Sequence, residues 1–186
     1  MTVIACRSGI MAADTATWDG DIKIGRVKKI IRLRDGSLVA ACGMASLIQA
    51  YYAWMQGKGD RPPDAEKQED FSGIHLLVGG VVRVVDRIYR EFDHDAEFYA
   101  EGSHTEFLYG AMAAGASAEE AVRLALKYGG FAGGEVQVEH LDRSTDERLD
   151  KLICTNPTCQ WAGKGQHTHP TGRIDSSPVF DGIDAG

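Results

Sequence analysis

The chain has 186 residues, enough for one sizeable core, and no shift of composition before about residue 142 marks a second folded domain. Its net charge of -7, from 20 Lys and Arg against 27 Asp and Glu, lacks the concentrated cations that phosphate binding needs. That excludes a nucleic-acid footprint and a nucleic-acid partner, and favours a peptide, protein or small-molecule partner.

Residues 2 to 7, Thr-Val-Ile-Ala-Cys-Arg, read as a strand, and Ser8-Gly9 is a turn signal before a second apolar run from Ile10 to Ala13. With Ser8-Gly9 as a two-residue loop, Arg7 pairs with Ile10, and counting outward sets Val3 opposite Asp14. Asp14 then lies beside Thr2, with the two side chains on opposite faces unless a twist or bulge intervenes. A second hairpin is expected from Val27 to Leu33 and Ser37 to Cys42, around Asp35-Gly36. Pairing Leu33 with Leu38 places Lys29 opposite Cys42, as the one charge on the apolar face made by Ile31, Leu33, Leu38, Ala40 and Cys42.

From Met44, Leu47, Ile48, Tyr51, Tyr52 and Met55 recur at helical spacing, and Gly57, Gly59 and Pro62-Pro63 end the pattern. Residues 58 to 70 read as a surface loop. Strands are expected at Ile74 to Val78 and Val81 to Val85, broken at Gly79-Gly80. Two helices follow, each opened by a capping-box pattern, Ser103 with Glu106 and Ser117 with Glu120. A final alternating strand runs from Glu135 to Leu141, with Val136 and Val138 on one face. The order strands, helix, strands, two helices, strand predicts an α+β layered domain over residues 2–142.

Residues 143–186 are rich in Asp, Arg, Thr, Gly and Pro without periodicity and are expected to form a largely disordered extension. No apolar run approaches the roughly 20 residues of a bilayer span, and the N-terminus has neither the basic segment nor the continuous apolar stretch of a signal peptide. The expected location is the cytoplasm, without a membrane partner. Cys6 and Cys42 lie in apolar runs and read as core residues. Cys154 and Cys159, near His167 and His169, fit common zinc spacings poorly, so neither a metal nor a cofactor is expected.

Candidate chemistry gathers at the ends of the two hairpins. Thr2 is small enough for Met1 to be removed by methionine aminopeptidase, which leaves a hydroxyl and an α-amine of pKa roughly 7.7 to 8.0 on one residue. Lys29 beside it, paired with Asp14, would lower the pKa of both groups. Gly43, where a strand passes into a helix, lets backbone approach a ligand and offers an N–H to a developing oxyanion.

The same residues resemble the proteasome β-subunit and HslV-type peptidase family. The matching stretches are Thr-Val-Ile-Ala at 2 to 5, Ile-Met-Ala-Ala-Asp at 10 to 14, Arg-Val-Lys-Lys-Ile at 26 to 30, Ala-Ala-Cys-Gly at 40 to 43, Gly102-Ser103, and the helix from Ser117 to Tyr128. The compact form is most similar to the proteasome-like proteins of bacterial prophages. The resemblance implies a four-layer αββα sandwich, the N-terminal nucleophile hydrolase fold. It also implies a threonine peptidase working through an acyl-enzyme, a homo-oligomeric ring, and an AAA+ unfoldase in related machines. It assigns Thr2 as nucleophile, Asp14 and Lys29 as the charged pair, Gly43 as oxyanion donor and Ser103 as support for the threonine amine. Two positions depart from it: Gly129 and Ala132 stand where many members carry a supporting aspartate and serine. The stretch before Ile74 is also too short for the usual second helix. An inactive proteasome-like assembly protein and an amidase acting on a small amide are the competing readings.

Overall fold

The computed structural model describes residues 2–64, 70–129 and 132–141. The expected extension at 143–186, with Cys154, Cys159, His167 and His169, lies outside the described residues.

The first hairpin forms as counted: β1 (Val3–Arg7) and β2 (Ile10–Asp14) turn at Ser8-Gly9 with Arg7 paired to Ile10 and Ile4 to Ala13. Two further elements flank them. β10 (Phe98–Gly102) lies beside β1, and β11 (Val136–His140) lies beside β2, giving an antiparallel sheet in the order β10-β1-β2-β11. A small two-stranded sheet, β3 (Ala16–Asp19) and β4 (Ile22–Arg26), follows the first hairpin. This hairpin was not anticipated from the sequence, although Ile22 and Ile24 alternate along β4.

The second sheet is built from β5 (Ile30–Arg32), β6 (Leu38–Gly43), β7 (Phe71–Leu76), β8 (Val82–Val85) and β9 (Glu91–His94), paired in that order. Here the sequence-based register is corrected by one residue: Ile30 pairs with Ala40 and Arg32 with Leu38. The loop holds Arg34, Asp35 and Gly36 rather than a dipeptide. Leu33 N–H donates to Ser37 O at 2.9 Å, and Gly36 takes φ +91°, as a three-residue turn requires. The Asp35 carboxylate accepts from the Ser37 N–H and hydroxyl at 3.0 and 2.6 Å and holds this longer loop. A slip of one residue exchanges faces. Leu38, Ala40 and Cys42 therefore share a core with Ile30, whereas Ile31 and Leu33 pack with Val39 and Ala41 on the other side. Lys29 is not opposite Cys42; it precedes the strand.

Three apolar clusters organise these elements. Ile4, Cys6, Met11 and Ala13 of the first sheet pack with Leu38, Ala40, Ile74 and Val84 of the second. Helix α1 (Ala45–Met55) covers the opposite face of the five-stranded sheet through Leu47 and Tyr51. Helices α2 (Thr105–Ala113) and α3 (Ala118–Tyr128) cover the first sheet through Leu108, Met112, Val122 and Ala125, against Val3, Ala12, Val136 and Val138. Ser117 and Glu120 form the expected capping box of α3. The box expected from Ser103 and Glu106 does not form. His104, at φ 60°, is the residue before α2 and its side chain makes no cap hydrogen bond; the Ser103 N–H, which the box would give to Glu106, goes to the Thr2 carbonyl. Both Cys6 and Cys42 are buried and reduced, and burial pushes each thiol up to about 12, which keeps them in the inert form. Among the described residues no helix is long and apolar enough to cross a membrane.

The end of the five-stranded sheet carries a buried polar cluster. The Ser37 hydroxyl donates to Asp35, so it accepts from His75 Nε2, 2.8 Å away. Burial lowers the His75 pKa, opposed by the nearby Asp35, Glu91 and Asp93 and reinforced by Arg83. A histidine that binds its proton less readily folded than unfolded contributes stability above its unfolded pKa of about 6.5, and that contribution is lost as pH falls. Urea midpoints measured at pH 7.5 and 5.5 should therefore drop further in the native protein than in a His75→Gln variant. Equal drops would contradict this assignment.

Candidate active site

Thr2 stands immediately before β1, and the end of β10 holds it in place. Ser103 N–H donates to the Thr2 carbonyl at 2.7 Å, while Val3 pairs with Gly102. A Cβ at Gly102 would collide with the Thr2 carbonyl oxygen, so β10 approaches this closely only with glycine there. The result is a threonine only 9% exposed.

The Thr2 hydroxyl accepts from Lys29 Nζ at 3.0 Å, and the same ammonium donates to Asp14 Oδ1 at 2.7 Å. Asp14 is fully buried and Lys29 is 6% exposed. A carboxylate in such a place needs its lone pairs filled, and it has partners besides lysine: Val3 N–H donates to Oδ1 at 3.1 Å and Gly133 N–H to Oδ2 at 3.3 Å. Val3 opposite Asp14 is what the hairpin count required. Between Ile4–Ala13 and Arg7–Ile10 the ladder runs without a bulge. Lys29, entering from the second sheet, reaches both groups at the strand ends. Burial lowers the Lys29 pKa, and the charge and hydrogen bond of Asp14 oppose that shift. The Asp14 carboxylate at 2.7 Å favours the ammonium form against that burial.

Two side chains that sequence reasoning passed over set the Lys29 backbone. Gln137 Oε1 accepts from the N–H groups of Lys29 and Ile30 at 2.8 and 3.0 Å, and its Nε2 donates to Ile30 O at 2.8 Å. Tyr52 donates its hydroxyl to Lys29 O at 2.6 Å and accepts from Ala41 N–H at 3.0 Å. Gln137 had a faint signal, a polar residue between Val136 and Val138 whose face must be opposite to theirs. Tyr52 had none, since at helical spacing it reads as an apolar contact.

Gly43 ends β6 at φ +114°, where a Cβ would collide with the Asp70 carbonyl. It opens into a cleft of about 650 Å³ that also contains Thr2, Lys29 and the N-terminal residue of α1, Ala45. An N-terminal helix end presents unpaired N–H groups and favours negative charge. Thus Thr2, Asp14, Lys29, Gly43 and Ser103 are all brought to one place, though Ser103 touches Thr2 through its backbone. Gly129 cannot take a side chain without collision with the Ala125 carbonyl, and Ala132 is buried with no polar group to offer. Among the described residues no three His, Cys, Asp or Glu side chains are placed to hold a metal.

No protein-family model matches the sequence, and no curated protein matches it. Solved structures do. Superposed on HslV from Trypanosoma brucei, the chain gives a TM-score of 0.55 at 19% identity, over 75% of this chain and 98% of that one. The chain has an HslV-like fold. Thiobacillus denitrificans BPH in complex with epoxomicin aligns at a TM-score of 0.57 and 24% identity, over 76% of this chain and 99% of that one. BPH in a second structure aligns at 0.53 with the same identity.

The ion pair makes a quantitative expectation. Asp14→Ala leaves the Lys29 ammonium buried without its carboxylate and should cost about 3–5 kcal/mol, whereas Asp14→Ala with Lys29→Met should cost clearly less than the sum of the single changes. Urea denaturation of the four proteins measures this coupling, and strict additivity would show that the two charges do not interact.

Proposed function

We propose that the chain is a threonine-type endopeptidase subunit whose nucleophile is Thr2, exposed by cleavage of the Met1–Thr2 bond. The observation that carries the reading is the direction of the Lys29–Thr2 hydrogen bond. An ammonium has donors only, so Thr2 Oγ1 is the acceptor and its own proton points elsewhere. Lys29 cannot take that proton while it is charged. A free α-amine on Thr2 can, at a pKa of roughly 7.7 to 8.0 before the lysine field lowers it. While Met1 remains attached that nitrogen is an amide and no base is available.

In this reading the hydroxyl proton passes to the α-amine as Oγ1 attacks a peptide carbonyl carbon. The oxyanion is received by the Gly43 N–H near the start of α1. Collapse breaks the C–N bond, the α-ammonium returns the proton to the leaving amine, and an ester to Thr2 remains. Water, deprotonated by the α-amine, then releases the acid and restores the hydroxyl. Asp14 keeps Lys29 cationic throughout. Ser103 positions Thr2 through its backbone N–H. The three apolar clusters support reading the body as a four-layer αββα sandwich of the N-terminal nucleophile type. A homo-oligomeric ring, an AAA+ unfoldase and a prophage-type origin belong to the same reading.

A second reading, an assembly protein of the same fold with weak or no activity, is favoured by Gly129 and Ala132, which supply no hydrogen bond to the threonine. Intact-mass analysis with an epoxyketone peptide separates the two. Such a probe needs both the free amine and the hydroxyl of one residue. The peptidase reading predicts loss of Met1 and one covalent adduct on Thr2, with none on Thr2→Ala. Retention of Met1, or a processed protein that forms no adduct, would overturn it.

A further inference from the structure

The chain carries an excess of carboxylates, with a net charge of -7. The cleft beside Thr2 reverses that sign. Its lining includes Lys28, Lys29 and Lys58 and neither Asp nor Glu. Lys29 is committed to Asp14. Lys28 and Lys58 are exposed, and among the described residues no carboxylate forms an ion pair with either.

The shape of the cleft tells where they act. One wall is a single face of α1, Ala45, Ile48, Gln49, Tyr52 and Ala53, continued by Gln56 at its C-cap, at spacings of three and four residues. The 11 residues of α1 span roughly 16 Å at about 1.5 Å per residue, which sets the length of this wall. An extended chain at about 3.3 Å per residue would lay about five residues along it. Lys28 lines the cleft next to Lys29, whose carbonyl accepts from the Tyr52 hydroxyl of α1. Ile31 and Trp18 add apolar surface to the lining.

We propose that this cleft selects acidic peptides, with Lys28 and Lys58 as the residues that determine the preference. Carboxylate side chains on the bound segment meet the Lys28 and Lys58 ammonium groups in a groove whose low-dielectric walls focus the field. Overall charge alone predicts the opposite preference, because a chain of net negative charge repels acidic substrates. The inference rests on the peptidase reading only for the substrate being a peptide.

Binding can be tested apart from catalysis on full-length Thr2→Ala protein, by calorimetric titration with the pentapeptides acetyl-Ala-Glu-Ala-Glu-Ala-amide and acetyl-Ala-Gln-Ala-Gln-Ala-amide. The Glu peptide should bind about three- to tenfold more tightly in low salt. The difference should close near 0.5 M sodium chloride, where the Debye length falls to about 4 Å. Lys28→Glu with Lys58→Glu, both at exposed positions, should abolish or invert it. Equal affinities, binding of neither peptide, or a preference that survives the double reversal would overturn the proposal. Glu-selective binding with no epoxyketone adduct on native Thr2 would keep the cleft assignment and remove the nucleophile. An adduct without Glu selectivity would do the reverse.

Discussion

A lysine ammonium and an aspartate carboxylate buried together at the ends of two sheets are the constraint around which this fold is arranged. Two charges removed from water lose solvation worth several kcal/mol each, and their attraction repays it only when every remaining donor and acceptor is met. The chain meets them with backbone from separate elements. Val3 and Gly133 supply N–H groups to Asp14, while Gln137 and Tyr52 occupy the polar groups of the Lys29 backbone. Gln137 thereby ties β11 of one sheet to the start of β5 in the other. The same contacts that make the pair tolerable also fix where Lys29 Nζ points, which is at the Thr2 hydroxyl.

Much of this was legible in local pattern because the contributing turns are short. Ser8-Gly9 admits one simple register, and that register alone predicts the Val3–Asp14 neighbourhood found in the structure. Asp35-Gly36 looked equally decisive and was not. Arg34 joins the loop, the ladder slips by one residue, and the faces of Ile30 and Ile31 exchange. Lys29 still reaches the expected partners since it lies outside the ladder, where a long side chain can span between sheets. Ser103 shows the opposite failure: a capping pattern complete in sequence was overridden by a tertiary hydrogen bond to Thr2. Tyr52 and Gln137 were out of reach, because their roles exist only once α1 and β11 are placed against β5.

The likeness to HslV and BPH, at 19% and 24% identity, fixes an architecture and leaves the chemistry to be argued from side chains. Those side chains divide into a complete inner set and a thinner outer one. Thr2, Lys29 and Asp14 are joined by direct hydrogen bonds. Gly129 and Ala132 contribute shape but no polar support, and Gly129 could not carry a side chain in its present position. In the proposed mechanism the load therefore falls on the lysine field, and any weakening of activity would be felt in the orientation of the Thr2 amine rather than in the acidity of its hydroxyl.

The proposed mechanism is tested most directly by the ionisation of the Thr2 α-amine in protein that has lost Met1, followed by nitrogen-15 NMR across a pH titration. The account predicts a pKa below the usual range of roughly 7.7 to 8.0, because the Lys29 ammonium beside it disfavours a second positive charge. A value within or above that range would contradict the claim that Lys29 prepares Thr2 to act as its own base near neutral pH.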